Sequence, residues 1–275
     1  MERRNFIKNT GLTIAGLALS KGIYSKNISN LKSLNIIVLL SGGVRYIDII
    51  DETNHQHAIL FQEKASMKVV CKSRVNYSGN TLEHDPCVID FLFGLPNDSS
   101  KKILISNKNS TVTKAVADAN LPLEIITTSS LNIDHPYRND AAIFESATTF
   151  LNPCENLTLI LNLEDTDIAH CNSEKYFDVL NYYNQQINHL CNKLYAKQSV
   201  EKYDAKLIVA AVLGRNNFDN ELTSEHNKNG CDHYDESARK LFCFETSYAE
   251  VFEINFDNQI YNSKELLKLN KNISI

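Results

Sequence analysis

Short, uninterrupted apolar runs alternate with helically spaced stretches through most of the chain. Asn35–Leu40 (NIIVLL) is rich in Ile and Val and shows no polar alternation. That is the pattern of a strand covered on both faces. Similar runs stand at Lys68–Cys71, Ile103–Ser106, Leu123–Thr127, Leu157–Leu163 and Lys206–Leu213. Between them the spacing predicts helices over about 86–94, 110–120, 139–151 and 174–198. The last is the clearest. Tyr176, Leu180, Tyr183, Ile187, Leu190 and Leu194 step by four and three along one face, and Ser173 and Glu174 suit a helix start.

Strands alternating with helices predict an α/β fold, a mostly parallel β-sheet flanked by helices on both faces. Ala249–Phe256 reads as one more strand, followed by a short helix and a tail from Tyr261. No internal repeat or linker divides the chain, so residues 34–275 are expected to form a single domain.

The first residues read as an address. Arg3 and Arg4 precede Phe6 and Lys8, and an apolar run from Gly11 to Leu19 ends at Ser20. A basic head before a short apolar stretch is an export signal, and the paired arginines resemble the twin-arginine type. The run is too short for a permanent membrane span. Residues 1–33 are therefore set aside as signal and linker, and the protein is expected in the periplasm or cell envelope. Composition narrows the partners. The net charge is −5 and no basic block follows the signal, so nucleic acid is not expected. The seven cysteines include no CxxC pair, so they read as buried apolar residues rather than a thiolate metal site.

In parallel sheets ligands sit beyond the carboxyl ends of the strands. After the first strand comes Ser41-Gly42-Gly43-Val44-Arg45, which alone is a tight turn. After Leu157–Leu163 comes Glu164-Asp165-Thr166-Asp167-Ile168-Ala169-His170. Carboxylates and an imidazole so close together suit zinc, or manganese with more oxygen donors; the other reading is a polar turn with a helix-capping Asp. After the run ending at Leu213 come Gly214-Arg215-Asn216, then Cys231-Asp232-His233-Tyr234-Asp235. His233 reads either as a ligand oriented by its neighbouring acids or as a solvated loop histidine.

The order of these pieces resembles the alkaline-phosphatase-like superfamily of phosphatases, sulfatases and phosphodiesterases. The resemblance spans about Asn35 to Phe244. It rests on DTDIAH with the long helix after it, on LGRN followed by GCDHYDESARKLF, on GGVR, and on His84-Asp85-Pro86 with Gly94. It implies one metal site made of Asp165 or Asp167, His170 and His233, holding at most one Zn or Mn ion. The family's second site uses a first-strand Asp, a Ser/Thr nucleophile and an acidic-His pair. The matching positions are Gly42, His84, Val212 and Leu213, none of which carries the family's residue.

Losing one ion and the hydroxyl removes both nucleophile activation and charge stabilisation. The resemblance and these departures from it thus imply a degenerate, exported, non-catalytic member that serves as a binding or scaffold protein, its partner a small-molecule ester or an unknown protein. One alternative is a single-metal phospho- or sulfo-ester hydrolase, with a small-molecule ester substrate and His84 or Asp85 as base. Another is an exported α/β binding protein with no metal.

Overall fold

The computed structural model describes residues 32–45, 48–49, 68–76, 83–95, 97–129, 139–169, 173–201, 203–215, 240–247 and 255–262. The expected signal, His170, His233 and the tail beyond residue 262 lie outside the described residues.

β1 (Ser33–Leu40) is the centre of the parallel region. It pairs in parallel with β5 (Leu157–Leu163) on one side and with β6 (Asp204–Ala211) on the other. Leu40 lies opposite both Leu163 and Ala211, so these three strands end level with one another. Every residue of β5 is buried, as are Leu34 and Ile36–Leu40. That two-sided burial is why the runs lack polar alternation. β3 (Lys101–Asn107) pairs in parallel with β5 and with β4 (Glu124–Thr128), which forms one edge.

Beyond β6 the sheet turns mixed. β7 (Lys240–Ser247) runs antiparallel to β6 and to β2 (Lys68–Asn76), and β8 (Asn255–Asn262) pairs in parallel with β2 at the far edge. The strand order is β4-β3-β5-β1-β6-β7-β2-β8.

Among the described residues, the sheet is accompanied by α1 (His84–Phe93), α2 (Thr111–Asp118), α3 (Ala141–Thr148), the single turn α4 (Asp165–Ile168) and α5 (Ser173–Glu201). The β3–α2–β4 connection moves outward along the sheet, whereas β4–α3–β5 and β5–α5–β6 move the other way. Right-handed crossovers then place α2 on one face and α3 and α5 on the other. The proximity of the helices agrees: α1 lies against α2, and α3 against α5. The stripe on α5 is buried as its spacing requires, with Tyr176, Leu180, Tyr183, Ile187, Leu190 and Leu194 at or below 1% exposure. Ser110 caps α2 by accepting the Val112 amide at 3.2 Å.

Three expectations need correction. The last strand runs on through Tyr261 and Asn262, which were expected in a helix, while residues 249–254 lie outside the described residues. An edge strand is covered less than a central one, so NFDNQIYN needs no continuous apolar run. β7 was not among the expected runs, because KLFCFETS mixes polar and apolar positions. The sixth run stops as a strand at Ala211, leaving Val212 and Leu213 in the turn beyond.

The core's dependence on β5 is testable. Leu159 has no exposed surface. Leu159→Ala is expected to lower the unfolding free energy by about 2–5 kcal/mol, measured by urea denaturation.

Candidate functional site

The ends of β1, β3, β5 and β6 define the rim where a ligand would sit. The turn after β1 is threaded between its neighbours. The Ser41 and Gly42 amides both donate to the Leu163 carbonyl, at 3.0 and 3.2 Å, and the Val44 amide donates to the Leu213 carbonyl at 3.2 Å. Gly43 has φ of 82°, which glycine tolerates best. Gly42 is confined for a different reason. A Cβ there would press into Thr166 Oγ1 and lie 2.6 Å from the Asp167 amide nitrogen and 2.8 Å from the Glu164 carbonyl. Thr166 is itself fully buried, and its hydroxyl has no hydrogen-bond partner among the described residues.

A buried polar chain crosses three strand ends. The Ser41 hydroxyl donates to Asn162 Oδ1 at 2.7 Å. Asn162 Nδ2 donates to Ser106 Oγ at 3.0 Å and to Glu164 Oε1 at 2.9 Å. The Ser110 hydroxyl reaches the same Glu164 oxygen at 2.6 Å. Glu164 is thereby held in one orientation. Its burial raises its pKa, against the lowering effect of these donors.

The DTDIAH segment divides its acids between two tasks. Asp165 faces inward. Its carboxylate accepts the Asp140 amide at 2.9 Å and the Asn139 side-chain amide at 3.2 Å. In return Asp140 Oδ2 accepts the Glu164 and Asp165 amides, both at 2.8 Å, and the Tyr183 hydroxyl. Tyr183 oxygen also accepts the Asp165 amide at 2.9 Å. This reciprocal lock ties the start of α3 to the β5–α4 turn. Asp167 instead faces solvent, its Oδ1 lying 3.4 Å from His84 Nε2 at the start of α1. Asp85 accepts the Thr111 hydroxyl at 2.7 Å, which joins α1 to α2.

A second buried cluster gathers at the ends of β1 and β6. Arg45 makes a two-point ion pair with Asp48, both contacts at 2.8 Å. The Tyr176 hydroxyl donates to Asp48 Oδ2 and accepts the Arg45 amide, both at 3.0 Å. The guanidinium carbons of Arg215 and Arg45 lie 4.4 and 5.9 Å from the centroid of the Tyr176 ring. Burial and the nearby Asp48 keep that tyrosine protonated.

The structure thus brings together His84 and Asp167 and turns Asp165 away from them. Among the described residues, no group of three His, Cys, Asp or Glu side chains is placed to hold a metal ion. The matching positions for a second ion do not fit one: Gly42 is hemmed in, and Val212 and Leu213 are apolar and buried. Among the described residues, Cys87 and Cys191 are buried and Cys154 is exposed. Sequence reasoning missed Asp140, Asn162, Tyr176 and Tyr183 as polar partners. Asp140 carried a usable signal, an Asp beside a predicted helix start. The two tyrosines carried none, because an apolar stripe conceals where a hydroxyl points.

No family model matches this sequence, and no curated protein matches it. Solved structures do. The C-terminal periplasmic domain of EcEptC from Escherichia coli matches with a TM-score of 0.54 at 13% identity, over 86% of this chain and 80% of that one. The same domain has also been solved in complex with Zn. Lipoteichoic acid synthase LtaP from Listeria monocytogenes matches with a TM-score of 0.57 at 9% identity, over 88% and 71% of the two chains. A protein in the alkaline phosphatase superfamily from Vibrio parahaemolyticus matches with a TM-score of 0.50 at 10% identity, over 86% and 64%. The chain has the alkaline-phosphatase-like α/β fold, as its strand-end motifs led us to expect. At these identities the likeness is one of fold.

The lock predicts a pH dependence. Burial pushes the Asp165 carboxyl up to about 6, and burial with the adjacent Asp165 also raises Asp140. A carboxyl whose folded pKa lies above its unfolded value of about 4 favours folding when protonated. Its contribution is present below about pH 4 and is lost as pH rises through about 6. Relative to Asp165→Asn, the wild type is expected to gain a few kcal/mol as pH falls from 7 to 4, measured by denaturant titration at each pH.

Proposed function

We propose that this protein is a degenerate, exported member of the alkaline-phosphatase/sulfatase-like superfamily, non-catalytic and retaining at most one metal site. The observation that carries the reading is the crowding at Gly42. The β5–α4 turn occupies the room that a ligating side chain on the first strand would need. Val212 and Leu213, the positions matching an acidic-His pair, offer no donor atoms. A two-metal ester hydrolase needs one ion beside the nucleophile and one beside the leaving oxygen. Half of that apparatus has no place to stand here.

The ion that remains possible would be a zinc or manganese held by Asp167, His170 and His233, with Asp165 committed to the lock instead. When bound, it would supply a Lewis acid at the rim. Export by the twin-arginine route rests on Arg3, Arg4, Phe6 and Lys8. Support comes from the periplasmic origin of the EcEptC domain, and from the absence among the described residues of any helix long and apolar enough to cross a membrane. A non-catalytic protein of this kind would act by binding, with a protein partner or a small ester as its ligand.

Three measurements test the reading. Purified protein with added zinc or manganese is expected to show no turnover of aryl phosphate, phosphodiester or sulfate esters. Turnover that tracks the protein through purification would overturn the reading. Elemental analysis is expected to find at most one ion per chain, lost on Asp167→Asn. Gly42→Asp is expected to destabilise the protein without creating activity, because its Cβ collides with the turn.

One observation favours a second reading, an active single-metal ester hydrolase. His84 Nε2 and Asp167 Oδ1 stand 3.4 Å apart at the rim, an imidazole and an acid in contact. In that case turnover would be present, and His84→Ala would lower kcat by about 100-fold or more.

A further inference from the structure

The position expected to hold a second cation is filled by the chain's own residues, and we infer that a guanidinium–tyrosine clamp takes over the structural work there. The inference rests on the fold reading above and goes beyond it. It says what replaced the ion, not only that the ion is missing.

Three observations concern the turns that leave β1 and β6. First, the turn after β1 has no room for a ligating side chain at Gly42. Second, the turn after β6 presents Val212 and Leu213, 2% and 0% exposed, where ligands would have to stand. Third, the same two turns each send an arginine inward, Arg45 from β1 and Arg215 from β6, and both meet the ring of Tyr176 on α5. Arg215 is fully buried and Arg45 is 4% exposed.

A metal ion at such a place joins segments by binding one donor from each. The clamp joins the same kind of segments by other means. Arg215 packs against the face of Tyr176, a cation–π contact that gains strength where water is excluded. The Tyr176 hydroxyl takes the Arg45 amide and gives its proton to Asp48, and Asp48 closes on the Arg45 guanidinium. The ends of β1 and β6 are also stitched directly, Val44 amide to Leu213 carbonyl. A divalent cation brought here would find no free donor on Gly42, Val212 or Leu213. The positive charge of the fully buried Arg215 would also oppose it, while that of Arg45 is already balanced by Asp48.

The clamp therefore makes the folding of this region independent of metal. The test uses the full chain and melting temperature, with EDTA, zinc and manganese as the probes. The His170→Ala/His233→Ala variant removes the site that the fold reading retains. Its melting temperature is expected to be the same in EDTA as in excess zinc or manganese, with no ion found by elemental analysis. Arg215→Met is expected to lower the melting temperature by about 5–10 °C, with no recovery on adding either ion. Arg215→Lys is expected to recover only part of that loss, because an ammonium lacks the planar guanidinium.

A stoichiometric ion in the double-histidine variant, or a melting temperature that falls in EDTA, would overturn the inference. So would an Arg215→Met protein as stable as the wild type. If Arg215→Met does not fold, the metal comparison on the double-histidine variant still decides the matter. Ester turnover by the wild type would sink the non-catalytic reading and leave this result untouched.

Discussion

Everything at the rim depends on how closely the β1 turn passes the β5–α4 turn. β1 lies between β5 and β6 with the three strands ending level, so the chain leaving β1 must pass between two neighbouring turns. It does so by giving two amides to one carbonyl, Leu163, and one to Leu213. That tight passage requires a residue without a side chain at Gly42. The rest of the rim is arranged around it. Asn162 and Ser41 fill the space beneath, Thr166 closes the space above, and Asp165 is drawn inward to the lock with Asp140 and Tyr183.

The polar residues at the rim therefore do two different kinds of work. Asp140, Asp165, Tyr183 and Asn162 satisfy buried amides and hydroxyls, and each would leave orphaned partners if removed. His84 and Asp167 reach the surface instead, their side chains 27% and 48% exposed. An acid-rich strand end in the sequence is thus not one feature. It contains a structural acid and an exposed one, two residues apart.

Much of the fold could be read from the chain. Continuous apolar runs identified β1, β3, β5 and β6, because strands covered on both faces carry no other pattern. The stripe on α5 was equally plain. The mixed half of the sheet was harder, since KLFCFETS and NFDNQIYN look like ordinary polar segments. Site chemistry was legible only as residue types. The motif Glu164–His170 said that acids gather at one strand end, but not that Asp165 turns its carboxylate toward α3. That choice is made by Asp140, which is 25 residues away in sequence. The arginines were visible as letters and uninformative as partners, because their meeting on Tyr176 depends on three separate elements closing together.

Thr166 carries a consequence for the order in which such a rim can change. Its hydroxyl fills the space beside Gly42 and cannot stay there if that position gains a side chain. The two sites are coupled, so their effects do not add. A side chain at position 42 therefore cannot be accommodated by one substitution alone. The turn must first be loosened, at a cost in stability and with no immediate benefit. The room for a single Cβ atom thus decides which substitutions the rim accepts one at a time and which it accepts only in pairs.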